Sequence, residues 1–256
     1  MRVRKLQQKR GWVFALAASV LKPLFFLTTK PEWHDGLKIP ATGGCVIVLN
    51  HVTKIDPLTA AHFLYDHGRL PRYLAKADLF EKQPLKKIMV DAGQIPVHRL
   101  SANAVGAFDA AVAAVKAGEC IVVYPEGTIT RDPGMWPMKG KSGAARIALA
   151  TGCPVIPVGH WGAHELLPPY SKKPDLFPRK KIVVKAGDPV DLDDLLDKEP
   201  TGAVINEATD RIMAAITSLV EDIRGEKAPP ERFDPRRAGV SEIGNPNDPK
   251  KPREGE

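Results

Sequence analysis

The sequence predicts an α/β protein, a single domain with a mostly parallel or mixed sheet flanked by helices. Three short apolar runs, at 46–49, 121–124 and 153–158, have the length and β-branched content of strands buried on both faces. A helical pattern that ends at Gly118 separates the first two runs, and both run into polar turns. Two strands with a helix between them are typical of a parallel crossover, which brings both turns to one edge of the sheet.

The chain is long enough to form one such domain with its own core, and no internal repeat is visible in its 256 residues. We place the domain at 31–225. Within it, 31–44 is expected to be a connector with one short strand at 37–39, and the last helix is expected to begin near Thr201. Residues 226–256 are rich in proline and balanced charges and lack apolar periodicity, so they are predicted to form a disordered tail.

The first thirty residues are predicted to form a membrane-associating segment. A basic end and an apolar stretch follow one another there, a combination that suits an anionic membrane surface. A spanning helix needs about 20 continuous apolar residues, and Lys22 and Pro23 interrupt this stretch. We therefore expect a helix that lies in the membrane interface or dips into one leaflet; a helix that covers the domain's own core would fit the same pattern. The basic residues of this end are Arg2, Arg4, Lys5, Lys9 and Arg10.

The formal net charge of +7 suits either a nucleic acid or a membrane as partner. The sequence has neither a basic stripe interleaved with aromatic residues nor a recognisable nucleic-acid module, so no nucleic acid is expected.

The three cysteines lie in or beside apolar runs without C-x-x-C spacing, which indicates reduced core residues: Cys45, Cys120 and Cys153. The expected location is the cytoplasmic face of the cell membrane, as a peripheral or monotopic protein.

His51 and Asp56 are the candidate catalytic residues, because they follow a buried strand at the edge where α/β proteins carry their chemistry. A turn between strand and helix lets Asp56 fold back onto the imidazole. The carboxylate then holds one ring nitrogen and leaves the other free as a base. From this stretch alone, the structural interpretation, with His51 as a helix cap and Asp56 as the partner of a lysine, is favoured over the catalytic one.

Four sequence blocks decide between these interpretations. The H-x4-D spacing of His51 and Asp56 is followed by GQIPVHR at 93–99, YPEGT at 124–128 and VIPV at 155–158. In this order the blocks resemble those of the glycerolipid acyltransferases, specifically the bacterial 1-acyl-glycerol-3-phosphate (lysophosphatidic acid) acyltransferases. The resemblance implies transfer of a fatty acyl group from acyl-CoA or acyl carrier protein to lysophosphatidic acid, which forms phosphatidic acid in phospholipid biosynthesis.

The resemblance also implies a set of residues that bind the acceptor's glycerol phosphate. Lys76 precedes an acidic residue and a leucine as in the family, although a solvated surface lysine is the default interpretation. Arg99 presents a planar fork of donors to phosphate oxygens. Two departures affect this set. The second block has Pro-Val-His before Arg99, and Ile129 stands where arginine is common, so that one phosphate contact is either missing or supplied by Arg131, the candidate replacement. The remaining implied contacts are Glu126, Gly127 and Thr128.

The expected chemistry is direct attack of the acceptor hydroxyl on the thioester, with His51 as general base and Asp56 orienting it. No G-x-S-x-G elbow or activated cysteine supports a covalent acyl-enzyme. His160 and His164 are four apart, but Gly162 between them argues against a metal site. No metal and no cofactor are expected beyond the acyl donor as co-substrate. Alternatives are a same-fold acyltransferase for another lysophospholipid or a glycolipid, a thioesterase, and a non-catalytic membrane-binding protein.

Overall fold

The computed structural model describes residues 3–97, 104–242 and 244–245. Within these residues, seven strands form one mixed sheet in the order β1-β7-β6-β2-β5-β3-β4, and every neighbouring pair is parallel except β6 with β7. The predicted α/β fold is therefore confirmed. The strands are β1 Thr29–His34, β2 Cys45–Leu49, β3 Pro71–Lys76, β4 Ile95–Val97, β5 Cys120–Val123, β6 Val155–Trp161 and β7 Lys180–Ala186. The helices are α1 Trp12–Thr28, α2 Asp56–Asp66, α3 Leu85–Asp91, α4 Ala104–Lys116, α5 Gly143–Thr151, α6 Ala163–Leu166, α7 Asp193–Leu196 and α8 Gly202–Arg224.

The central strands are buried on both faces, as their unbroken apolar runs predict. In β2, Val46 and Val48 join a core formed with α4, α5 and α8. The alternate residues Cys45, Ile47 and Leu49 join a second core formed with α2. Because successive side chains of a strand point to opposite faces, β2 supports helices on both sides of the sheet.

The connector before β2 differs from the prediction. The expected strand at 37–39 is a 3-10 turn, Gly36–Lys38, whereas the strand β1 lies earlier and pairs in parallel with β7 at the edge of the sheet. β1 has the sequence TKPEWH, with a proline and charges that suit an edge strand but hide the apolar pattern of a buried one.

The N-terminal segment contains the expected helix, with two differences. Pro23 lies inside α1 and does not end it. Two of the basic residues before the helix bind the domain: the Arg4 guanidinium donates to the Ile39 carbonyl at 2.8 Å, and Arg10 donates to the Tyr65 hydroxyl at 2.8 Å. Among the described residues, no helix has the length and apolar character needed to cross a membrane.

The C-terminal segment, defined here as residues 226–245, has neither helix nor strand where it is described. It does not extend away from the domain. The Lys139 amide donates to the Phe233 carbonyl at 3.0 Å, and Arg232 pairs with Asp210 of α8 at 3.0 Å. The rest of the predicted tail, 246–256, lies outside the described residues.

Candidate active site

The structure brings His51 and Asp56 together in the turn between β2 and α2. His51 Nδ1 lies 2.8 Å from Asp56 Oδ2, and the same oxygen accepts the backbone amides of Val52 at 2.6 Å and Thr53 at 2.8 Å. Because an ionised carboxylate only accepts, Nδ1 carries the proton and Nε2 is left as the basic nitrogen. The Asp56 side chain is fully buried, whereas 16% of the His51 side chain is exposed. The pair is therefore fixed on one side and open on the other.

A second histidine supports this turn from β6. His160 is buried, and its Nε2 lies 2.6 Å from the Asn50 carbonyl oxygen and 3.7 Å from Asp56 Oδ2. The Asn50 side-chain amide exchanges two 3.0 Å hydrogen bonds with the backbone of His160. His160 thus holds the end of β2 beside β6 through Nε2 and its backbone, whereas its buried Nδ1 has no hydrogen-bond partner among the described residues. The spacing of His160 and His164 raised only the question of a metal site, whereas the position of His160 after a buried apolar run was the signal of a structural role.

Glu126 connects the turn after β5 to His51. One carboxylate oxygen accepts the His51 amide at 2.8 Å and the other accepts the Met138 amide at 3.1 Å, while the Thr130 amide donates to the His51 carbonyl at 2.7 Å. The side chain is 1% exposed. Both oxygens are therefore used inside the protein, and this geometry does not bring the Glu126 carboxylate to an acceptor phosphate.

Burial raises the pKa of Glu126 from 4.5 to about 8. The hydrogen bonds from the Met138 and His51 amides favour the ionised form and lower the pKa, but their effect is smaller than that of burial. Because the pKa of Glu126 is higher in the folded state than in the unfolded state, the unfolded chain loses this proton at lower pH. The free energy of unfolding therefore decreases as the pH rises from about 4.5 to about 8. We expect this contribution to the free energy of unfolding to fall by no more than about 5 kcal/mol over that range. Urea unfolding of wild type and Glu126→Gln between about pH 5 and pH 8 tests it. The variant should gain stability relative to wild type as pH rises, and a constant difference would refute the assignment.

An apolar cavity of about 860 Å³ opens at His51. It runs between one face of α1, with Val13, Ala17, Leu21 and Phe25, and one face of α2, which contributes Leu58 and Ala61 among others. A volume of this size is within the range of ligand sites, and a long apolar lining suits a hydrocarbon chain.

Of three residues predicted to contact the acceptor's phosphate, two line the cavity and one does not. Lys76 lines the cavity and pairs with Asp78. Gly127 also lines it, with φ of 69°, a conformation that favours glycine. Thr128 is half-buried beside Gly127, where it is not part of the cavity lining.

Two arginines were predicted to bind the acceptor's phosphate. Arg99, together with His98, lies outside the described residues and stays a prediction. Arg131, the candidate replacement for the arginine absent at position 129, is buried and directed to the C-terminal segment. Its guanidinium donates to the Ser241 carbonyl at 3.1 Å, to the Gly244 carbonyl at 2.8 Å and to the Tyr170 hydroxyl.

The chain is similar to known acyltransferases. A family model described as "Acyltransferase" matches residues 30–161. The chain is 30% identical over 125 residues to the chloroplastic 1-acyl-sn-glycerol-3-phosphate acyltransferase BAT2 of Brassica napus, a match that covers 48% of this chain and 35% of that protein. The chain thus matches about a third of that relative's length.

A solved structure shares the fold. The crystal structure of the 1-acyl-sn-glycerophosphate (LPA) acyltransferase PlsC from Thermotoga maritima matches with a TM-score of 0.61 at 20% identity. The match covers 85% of this chain and 81% of that one. The family model spans more than half of the chain and includes both His51 and Asp56. The chain therefore belongs to the acyltransferase family, as its four sequence blocks predict.

Proposed function

We propose that the protein is a 1-acyl-glycerol-3-phosphate O-acyltransferase, which transfers a fatty acyl group from acyl-CoA or acyl carrier protein to lysophosphatidic acid. The observation that carries the proposal is the His51–Asp56 pair, because His51 is held by Asp56 through Nδ1 and lines an apolar cavity. The cavity suits the hydrocarbon chain of a lipid substrate, and the relatives named above support this acceptor.

The reaction needs one base and no covalent enzyme intermediate. His51 Nε2 removes the proton from the free hydroxyl of the acceptor as that oxygen attacks the thioester carbonyl carbon. The tetrahedral intermediate collapses with cleavage of the C–S bond. The imidazolium returns its proton to the departing thiolate, so the products are phosphatidic acid and a free thiol. Asp56 keeps Nδ1 protonated and stabilises the imidazolium between these steps.

The acceptor's phosphate is expected at the polar side of the same cavity. Lys76 and the backbone of the Gly127 turn contribute there, and Arg99 is proposed as a further contact. Glu126 acts indirectly, because its carboxylate holds the backbone of His51 in place. Holding both substrates in register would lower the barrier by several kcal/mol.

An acceptor series tests the substrate class. Purified protein is assayed with one acyl-CoA and with lysophosphatidic acid, lysophosphatidylcholine, a lysoglycolipid or no acceptor, and the acylated lipid and free thiol are both quantified. We expect lysophosphatidic acid to give the highest kcat/KM. A preference for an acceptor without a phosphate monoester would assign the chain to another acyltransferase, and equal thiol release without acceptor would identify a thioesterase.

We further propose that α1 lies on an anionic membrane surface. Its outer face carries Leu16, Val20, Leu24 and Leu27, which are between 49% and 61% exposed, whereas Val13 and Phe25 face inward. The outer residues are spaced by three and four positions and so form one stripe. A membrane-bound position would let a lipid acceptor enter the cavity from the bilayer, because α1 forms one of its walls.

Charged residues in this stripe are expected to weaken membrane binding. In the double variant Val20→Glu/Leu24→Glu, sedimentation with vesicles that contain phosphatidylglycerol should show an affinity lower by about tenfold or more, since apolar burial is lost and like charges repel. Ala214→Glu/Ser218→Glu is the matched control, with two exposed positions of the same spacing on α8. Equal loss in both pairs would show that only net charge matters.

A further inference from the structure

The C-terminal segment places charged side chains at the cavity that contains His51. Hydrogen bonds from Lys139 to Phe233 and from Arg131 to Ser241 and Gly244 hold the segment on both sides of residue 236. As a result Arg236 and Glu242 line the same cavity as His51, although they are far from it in sequence.

Glu242 joins two cationic groups there. Its Oε2 lies 3.2 Å from Lys141 Nζ, and its Oε1 accepts a hydrogen bond of 3.0 Å from Arg236 Nε. Each carboxylate oxygen thus has one cationic partner. Partial burial opposes ionisation of Glu242, but Lys141 and Arg236 outweigh it and hold its pKa below the ordinary value. The carboxylate is therefore an anion held between two cations.

Lys141 is fixed to the turn that carries Gly127. Its backbone amide donates to the Pro125 carbonyl at 2.8 Å. Its side chain passes so close to Gly127 that a Cβ at that position would lie 3.1 Å from Lys141 Cδ. Lys141 is thus positioned by the domain itself, whereas Arg236 and Glu242 come from the C-terminal segment.

From this arrangement we propose that Lys141 and Arg236 form a phosphate-binding subsite beside His51, and that Glu242 occupies it until a substrate phosphate takes its place. The inference deepens the proposed function and rests on it for the identity of the substrate. A phosphate monoester offers more oxygens than a carboxylate and carries about −1.5 to −2 at neutral pH, so it satisfies both cations better. Arg236 is 79% exposed and Glu242 is 25% exposed, which leaves their ion pair accessible for exchange.

The phosphate has two possible sources, the acceptor lipid and the acyl donor, and the experiment separates them. Calorimetric titrations use glycerol 3-phosphate as the acceptor probe and coenzyme A as the donor probe. They are performed on wild type, Glu242→Gln, Arg236→Gln and Arg237→Gln. Arg237 is the matched control, because it is an exposed arginine of the same segment that does not line this cavity.

We expect Glu242→Gln to bind one of the two probes about fivefold more tightly than wild type, since the competing carboxylate is gone. Arg236→Gln should bind the same probe about tenfold more weakly, as expected for loss of a charge-assisted contact. Arg237→Gln should match wild type. The probe that responds identifies the source, and the KM of the corresponding substrate should change in parallel, with the effect on KM and not on kcat.

The inference would be overturned if Arg236→Gln and Arg237→Gln bound both probes alike, or if Glu242→Gln bound neither more tightly than wild type. These outcomes are distinct from failure of the proposed function. If the wild type did not acylate lysophosphatidic acid but the probes followed the expected order, the subsite would stand and the reaction would be wrong. Normal acyl transfer with no difference among the variants would remove the subsite alone.

Discussion

Replacing His51 with alanine is expected to lower kcat for acyl transfer by about 10³-fold, the size typical of losing a positioned general base. The imidazole is the group of the dyad that is partly exposed to the cavity, so its loss leaves the acceptor hydroxyl without a proton acceptor. KM should change little, because His51 makes its decisive interaction in the transition state. Steady-state assays with varied acyl-CoA measure both constants.

The matched control is His34→Ala, which removes an exposed histidine of β1. Thermal unfolding should show that both variants remain folded. If His51→Ala kept more than about a tenth of wild-type kcat, general-base catalysis by this residue would be excluded.

Asp56→Asn is expected to lower kcat by about 10²-fold or more. An asparagine oxygen can replace Oδ2 as acceptor for the Val52 and Thr53 amides, so the turn is retained. The negative charge that stabilises the His51 imidazolium is lost. The effect should therefore fall on kcat, and it should not add to that of His51→Ala in the double variant, because the two residues act as one unit.

The variant Asp66→Asn is the control that separates a general effect of losing a buried carboxylate from a specific effect on His51. Asp66 is also fully buried on α2, but it pairs with Lys22 and His62 and not with His51. Its substitution should reduce stability, since its pKa is lowered to about 2 in the folded protein. A comparable loss of kcat in both variants, measured where both are folded, would mean that Asp56 acts only through stability.

Sequence reasoning predicted the central strands and the dyad for the same reason: both are local patterns. Val46 to Leu49 form an unbroken apolar run, and the turn that follows holds His51 and Asp56 within five residues of each other. The edge strand β1 has no such pattern, because its sequence contains a proline and charges. Its pairing with β7 also joins residues about 150 positions apart, which no local pattern indicates.

The parts of the site that were not predicted depend on distant partners. Nothing in the sequence of the Glu126 turn shows that its carboxylate is buried, because this depends on the amides of His51 and Met138. The C-terminal segment has the composition of a disordered tail, and its contacts become visible only when the carbonyls of Ser241 and Gly244 lie beside Arg131. A prediction of disorder from composition depends on the apolar content of the segment. It cannot detect hydrogen bonds to backbone carbonyls, because every residue type carries that group.

The most direct test of the central claim is the molar ratio of phosphatidic acid to free thiol formed from acyl-CoA and lysophosphatidic acid, by wild type and by His51→Ala. We expect wild type to form both products in equal amounts and the variant to form neither above background. Thiol without phosphatidic acid would show hydrolysis in place of transfer. Equal rates in both proteins would contradict the assignment of His51 as the base.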